Sequence, residues 1–167
     1  MSEESAPIPD KELEKLDIEA LRDALEAGDD IEKVDISGLD LYQDQLADHK
    51  FVGCVVDKAV FTDISLENSI WEDCSFIGAS FKSVDMADAT FKNCQFFDKK
   101  NAVGVSFRFS AMNHVRFTEC DLTLAEFFRC DAHSIEFKKC RMLGANLSEA
   151  DFSRSFSKTV IRTEAVF

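Results

Sequence analysis

Residues 51–96, cut in fives, read FVGCV VDKAV FTDIS LENSI WEDCS FIGAS FKSVD MADAT FKNCQ F. Every block opens on a large apolar residue: Phe51, Val56, Phe61, Leu66, Trp71, Phe76, Phe81, Met86, Phe91 and Phe96. Upstream, the same spacing passes through Leu46 and Leu41 to Ile36. Downstream the frame slips, then resumes as Phe107, Met112, Phe117, Leu122, Phe127, Ala132, Phe137, Met142, Leu147 and Phe152. All 23 positions are apolar in a chain that is 46% hydrophobic, an outcome that chance gives about once in 10^7 to 10^8 trials. A period of five fits neither a strand nor a helix. It fits a square coil in which each repeat forms one side and turns its large residue inward.

Two positions before the centres stands a second, smaller set: Cys54, Ala59, Ser69, Cys74, Ala79, Ala89 and Cys94, then Cys120, Ala125, Cys130, Cys140, Ala145 and Ala150. Ala145-Asn146-Leu147-Ser148-Glu149 and Ala150-Asp151-Phe152-Ser153-Arg154 resemble the A(D/N)LXX repeat of the pentapeptide-repeat family, and the resemblance covers roughly residues 36–155. It implies an all-β solenoid, a right-handed quadrilateral parallel β-helix with four repeats per coil. Cys54, Cys74 and Cys94 are then one coil apart and should stack, as should Cys120 and Cys140. The step from Cys94 to Cys120 is longer by six residues, so an insertion between Phe96 and Phe107 restores the columns. This predicts a loop near 98–103 within a stack of about six coils, roughly 29 Å tall at a rung spacing of ~4.8 Å.

The net charge of −13 is unevenly spread. Residues 1–50 hold 16 Asp/Glu and 5 Lys/Arg, whereas residues 51–167 hold 16 and 14. A direct nucleic-acid binder needs a basic face, which neither part supplies. No apolar run is long enough to span a membrane and no leader pattern opens the chain, so a cytoplasmic protein with reduced cysteines is expected. The cysteines lack the CxxC pairs typical of a metal site and read as small core fillers. His114 and His133 lie on one side near Asp85, Asp88 and Asp131, and read as solvated face residues. No phosphate loop, zinc-protease or nucleophile-elbow motif occurs, so no enzyme, cofactor or metal is expected.

A solenoid must cover its open ends. Residues 17–27, DIEALRDALEA, read as an amphipathic capping helix with Asp17 as N-cap, Ile18, Leu21 and Leu25 as apolar face, and Gly28 as stop. Asp44 and His49 fall where small inward residues belong, so the first coil is expected to be irregular. The domain reading is an acidic tail and cap over 1–30, the β-helix over 31–156, and a C-terminal end over 157–167. That end carries no evident cap, which suggests a homodimer through the last coil.

Outward positions beside the loop are apolar: Ile77, Phe97, Leu124 and Leu143, with Phe109 and Phe128 on the adjoining side. Such a stripe suits a protein partner. The run Phe91-Lys92-Asn93-Cys94-Gln95-Phe96-Phe97-Asp98-Lys99-Lys100-Asn101-Ala102-Val103-Gly104-Val105-Ser106-Phe107 resembles the first-loop region of the Qnr quinolone-resistance proteins. Ile135-Glu136-Phe137-Lys138-Lys139-Cys140, leading into Gly144-Ala145-Asn146-Leu147-Ser148, also resembles that group, so the likeness spans residues 71–152. It implies a dimeric rod that protects DNA gyrase and topoisomerase IV, with Phe97, Asp98, Lys99, Lys100, Asn101, Ala102 and Val103 as contact loop. The alternative is a general protein-interaction scaffold using the apolar stripe.

Overall fold

The computed structural model describes residues 13–158. The expected acidic tail of residues 1–12 and the C-terminal end over 159–167, with the dimerisation expected there, lie outside the described residues. The rest is a parallel β-solenoid of about six turns with one short helix. One side stacks the short strands Ile31–Glu32, Lys50–Val52, Ile70–Glu72, Thr90–Lys92, Arg116–Thr118, Glu136–Lys138 and Phe156–Lys158, all in parallel. The register joins Phe51 to Trp71, Trp71 to Phe91, Phe91 to Phe117, and Phe117 to Phe137. The longer step falls between Phe91 and Phe117, as it does between Ser80 and Ser106, Asp85 and Ala111, and Gln95 and Asp121. The six extra residues are therefore extruded without shifting any side of the coil.

Each side ends at a corner two residues past the inward centre, and that corner residue adopts left-handed backbone. Lys58 (φ 59°), Asp73 (φ 54°), Asn93 (φ 52°), Leu124 (φ 55°) and Lys139 (φ 54°) are examples. An L-residue pays a steric penalty there, which is least for Asn and Asp. At Asp98 the pattern stops, because the loop leaves from that corner. Ala102 (φ 53°), inside the loop, takes the left-handed turn instead.

Inside, the large residues form aromatic ladders. Phe51 stacks on Trp71 at 3.8 Å between ring centroids, and Phe91 on Phe117 at 5.0 Å. A neighbouring column stacks Phe81, Phe107 and Phe127 at 5.1 and 5.2 Å. Edge contacts such as Phe76 to Phe91 at 73° knit the columns together, the geometry that aromatic quadrupoles favour. The cysteines fill the narrow space beside them, all buried with free thiols. Cys94 Sγ donates weakly to the Trp71 carbonyl and Cys120 Sγ to that of Phe91, both at 3.4 Å. Burial pushes the Cys130 thiol up to about 11, so it stays protonated and unreactive.

The first coil is closed by α1 (Ile18–Ala27). Asp17 caps it by accepting from Ala20 N at 2.9 Å, Leu21 and Leu25 are buried, and Gly28 (φ 75°) terminates it. A two-residue strand, β1 (Glu14–Lys15), precedes the helix and pairs in parallel with a strand of the first coil, Val34–Asp35.

The two residues that looked out of place in the first coil fasten this cap. The buried Asp44 carboxylate accepts from Arg22 Nε on α1 at 2.7 Å and from Tyr42 N at 3.1 Å. His49 Nε2 lies 3.0 Å from the Leu25 carbonyl at the end of the helix, and its Nδ1 lies 2.7 Å from the Ala47 carbonyl. Large polar residues replace small ones where the core ends and a helix, rather than another coil, lies above. Asp44→Ala should therefore cost about 1–3 kcal/mol, since it strips a buried acceptor from the Tyr42 amide and a partner from Arg22. Urea unfolding would measure this, and an unchanged midpoint would show that the cap is held by Leu21 and Leu25 alone.

Candidate binding surface

The extruded loop is a closed hairpin. Asp98 and Val103 exchange both backbone hydrogen bonds, N to O at 2.8 and 3.3 Å. The Asp98 carboxylate fills the turn, accepting from Lys100 N at 2.9 Å, Asn101 N at 3.1 Å and Asn101 Nδ2 at 2.6 Å. The Asn101 side-chain amide, with these backbone N–H groups, holds the Asp98 carboxyl below its ordinary value. This arrangement leaves Lys99, Lys100, Asn101, Ala102 and Val103 exposed and Phe97 half-buried at the base. The return leg is pinned at Gly104. A Cβ there would lie 2.1 Å from the Leu124 carbonyl oxygen, so only glycine lets the leg lie on the coil below.

The expected stripe divides into two parts. Ile77, Phe97 and Leu143 are half-buried on the side centred on Phe76, Phe96 and Met142, and Leu124 is exposed at its corner, with a methyl group packed towards Gly144. Thr123 interrupts the row, buried and bonded to Asp121. On the adjoining side Phe109 and Phe128 touch edge to face at 6.0 Å and 79°. This pair is not bare apolar surface. Arg108 lies over Phe128 at 5.2 Å and over Phe109 at 5.7 Å, and Arg129 lies over Phe128 at 5.0 Å. The aromatic patch is therefore cationic at its rim. Neither arginine belongs to the apolar stripe, although each is the sequence neighbour of one of the rings.

Charge is segregated by side, which the near-neutral total for the coils conceals. The next side, built on Leu46, Leu66, Met86, Met112 and Ala132, exposes Asp48, Glu67, Asp85, Asp88, Asp131 and Asp151. Among its described outward positions the one lysine or arginine is the exposed Arg154, at the last corner of the column that holds Asp48 and Asp88. His114 and His133 sit within it, ring to ring at 6.3 Å, with His133 Nδ1 2.7 Å from Ser153 Oγ. The strand side beyond is balanced by ion pairs such as Lys139 with Glu119 at 2.8 Å and Lys50 with Glu72 at 3.2 Å. Around the rod, then, come the loop corner, the arginine-rimmed aromatic patch, and a predominantly acidic side. Among the described residues no group of three or more His, Cys, Asp or Glu could hold a metal ion, and no helix is long and apolar enough to cross a membrane.

A family model described as a pentapeptide repeat region matches residues 65–147. The quinolone resistance pentapeptide repeat protein QnrB96 of Scandinavium goeteborgense is 33% identical over 97 residues, 58% of this chain and 43% of that protein. The pentapeptide repeat protein QnrB4 of Escherichia coli is 34% identical over 101 residues, 60% of this chain and 45% of its own length. The full-length structure of QnrB1, a plasmid-mediated fluoroquinolone resistance protein, matches with a TM-score of 0.50 at 25% identity, over 59% of this chain and 48% of that one. A trypsin-treated QnrB1 variant matches with a TM-score of 0.55 at 21% identity, over 78% and 54%, a likeness of fold alone. The chain thus spans about half the length of these relatives.

Proposed function

We propose that this chain, a pentapeptide-repeat protein, is a non-catalytic binding module that engages a type II DNA topoisomerase through its loop and adjoining coil side and protects it from quinolones. The observation that carries this reading is the loop. It is closed, extruded from a single corner, and inserted so that every column of the coil keeps its register. A loop so held presents Lys99 to Val103 at little ordering cost on binding. Support also comes from the likeness to quinolone-resistance proteins over more than half of the chain.

The acidic side adds an electrostatic element. A row of carboxylates along the stacked coils favours a partner with a basic groove and makes association salt-dependent. The aromatic pair with its arginines would supply the anchoring contacts, since buried aromatic and arginine side chains dominate interface energetics.

The test is DNA supercoiling by gyrase inhibited with ciprofloxacin, titrated with this protein or with a deletion of residues 98–103. Supercoiling restored by the intact chain and lost with the deletion is expected. No rescue at micromolar protein would sink this reading. A second reading, a scaffold for an unrelated protein, draws on the Phe109–Phe128 patch without the loop. Phe128→Asp would then abolish partner capture while gyrase stays indifferent to the protein.

A further inference from the structure

At the opposite end from the last coil, an open groove of about 420 Å³ runs between the cap and the first coil. Its floor is apolar, made by Leu16, Ile31 and Val34, all buried beneath it. One wall is the flank of α1 beside Leu21 and Leu25, where Ala20, Ala24 and Ala27 follow one another at helical spacing, the first two partly buried against the core. These small side chains keep the wall low and would let a second backbone approach closely. The rim is acidic: Glu14, Asp23, Asp29, Asp30 and Glu32 line the groove, and among the described residues no lysine or arginine does. The long acidic side of the coils belongs to different residues, so this is a separate feature.

We infer that this groove binds a lysine- or arginine-rich amphipathic segment of a partner protein, apolar residues on the floor and basic residues against the rim. Charge complementarity selects the occupant. Nucleic acid and anionic lipid carry the wrong sign. The chain's own residues 1–12 hold four carboxylates against one lysine, a charge that does not complement the acidic rim. A basic amphipathic segment satisfies both the floor and the rim, in the helix-in-groove manner. The inference is independent of topoisomerase binding, which uses the loop and the sides of the rod.

The experiment is fluorescence anisotropy of a fluorescein-labelled Lys/Leu amphipathic peptide with the full chain, beside a Glu/Leu peptide of the same pattern. Saturable binding of the basic peptide alone is expected, weakening by about tenfold or more between low and high salt. Asp23→Lys combined with Asp30→Lys reverses two exposed rim charges without touching the core, and should weaken binding at least tenfold. Asp85→Lys with Asp131→Lys, on the acidic coil side, should leave it unchanged. Equal loss from both pairs would overturn the inference in favour of general acidity. So would binding of the Glu/Leu peptide, or self-association of the protein that the rim substitutions abolish, which would make the occupant a second copy. Far-ultraviolet circular dichroism of each variant confirms that the comparison is between folded proteins.

Discussion

Phe91→Ala should lower the unfolding free energy by about 3–5 kcal/mol, the cost of emptying a large aromatic site in a core that collapses only partly. Phe91 is fully buried at the middle of the stack. Its ring lies against Phe117 at 5.0 Å and Trp71 at 6.4 Å along its column, and edge-on to Phe76 and Phe96 at 5.8 and 5.7 Å. Four aromatic contacts therefore go at once, two of them between coils. In a solenoid each coil touches only its neighbours, so the deficit falls on the interfaces above and below. That position is also where the loop leaves, between Phe96 and Phe107. A parallel ladder cut there would separate the capped N-terminal coils from the loop-bearing ones. The expected signature is a urea transition that moves to lower denaturant and broadens, because cooperativity between the two halves weakens. Phe91→Leu, which keeps most of the volume, should recover more than half of the loss. A shift below about 1 kcal/mol for Phe91→Ala would mean that the column relaxes to fill the site and that the aromatic stack is not what couples the coils.

How much of this was legible in the sequence depends on the range of the interaction concerned. The five-residue period needs only local counting, and it placed every inward centre from Ile36 to Leu147 in the core. The six-residue insertion was legible because columns are a constraint between coils: a one-residue bulge would have restored the period but scattered the cysteines. The helix from Ile18 was legible from Asp17 and Gly28, whose capping roles are local. The roles of Asp44 and His49 were not. They read as faults in a pattern because the pattern describes coil on coil, and their partners, Arg22 and the Leu25 carbonyl, lie more than twenty residues away on a helix. The left-handed corners were hidden for another reason. Glycine marks some, as at Gly53 and Gly78, but Lys58, Glu119 and Leu124 adopt the same backbone because the ladder on both flanks imposes it. The arginines around Phe128 were missed because the apolar stripe was sought by residue type, and a cation over a ring is not apolar. The charged side was concealed by averaging: the coils sum to near neutrality while one of their four sides carries carboxylates with a single arginine, Arg154, at its last corner.

Gly104→Ala tests whether the loop is held by the coil or merely attached to it. The added Cβ would stand 2.1 Å from the Leu124 carbonyl oxygen, 2.3 Å from its carbon and 2.8 Å from Ala125 N. All three are backbone atoms of a rung whose own hydrogen bonds are engaged: Leu124 N donates to the Leu143 carbonyl and Ala125 N to that of Leu122, at 2.8 and 3.1 Å. No rotamer change relieves such a contact, so either the rung shifts or the loop's return leg lifts away. Lifting is the cheaper course, because the hairpin at 98–103 is closed by its own hydrogen bonds and can move as a unit. Gly104→Ala is therefore expected to cost about 1–3 kcal/mol, at the scale of overpacking a fitted site. It should also raise the rate of tryptic cleavage at the exposed Lys99 and Lys100 by at least tenfold, since local opening controls proteolysis of a loop. Gly144→Ala offers the contrast: its Cβ would meet only the movable end of the Leu124 side chain, at 2.8 Å, and a corner already left-handed, with φ of 63°. That variant should lose stability without exposing the loop. Faster cleavage for Gly104→Ala but not Gly144→Ala would establish that close backbone contact anchors the loop. Equal cleavage rates in both variants and the parent would place the rigidity in the Asp98–Asn101 turn instead, and would predict that Asn101→Ala frees the loop where Gly104→Ala does not.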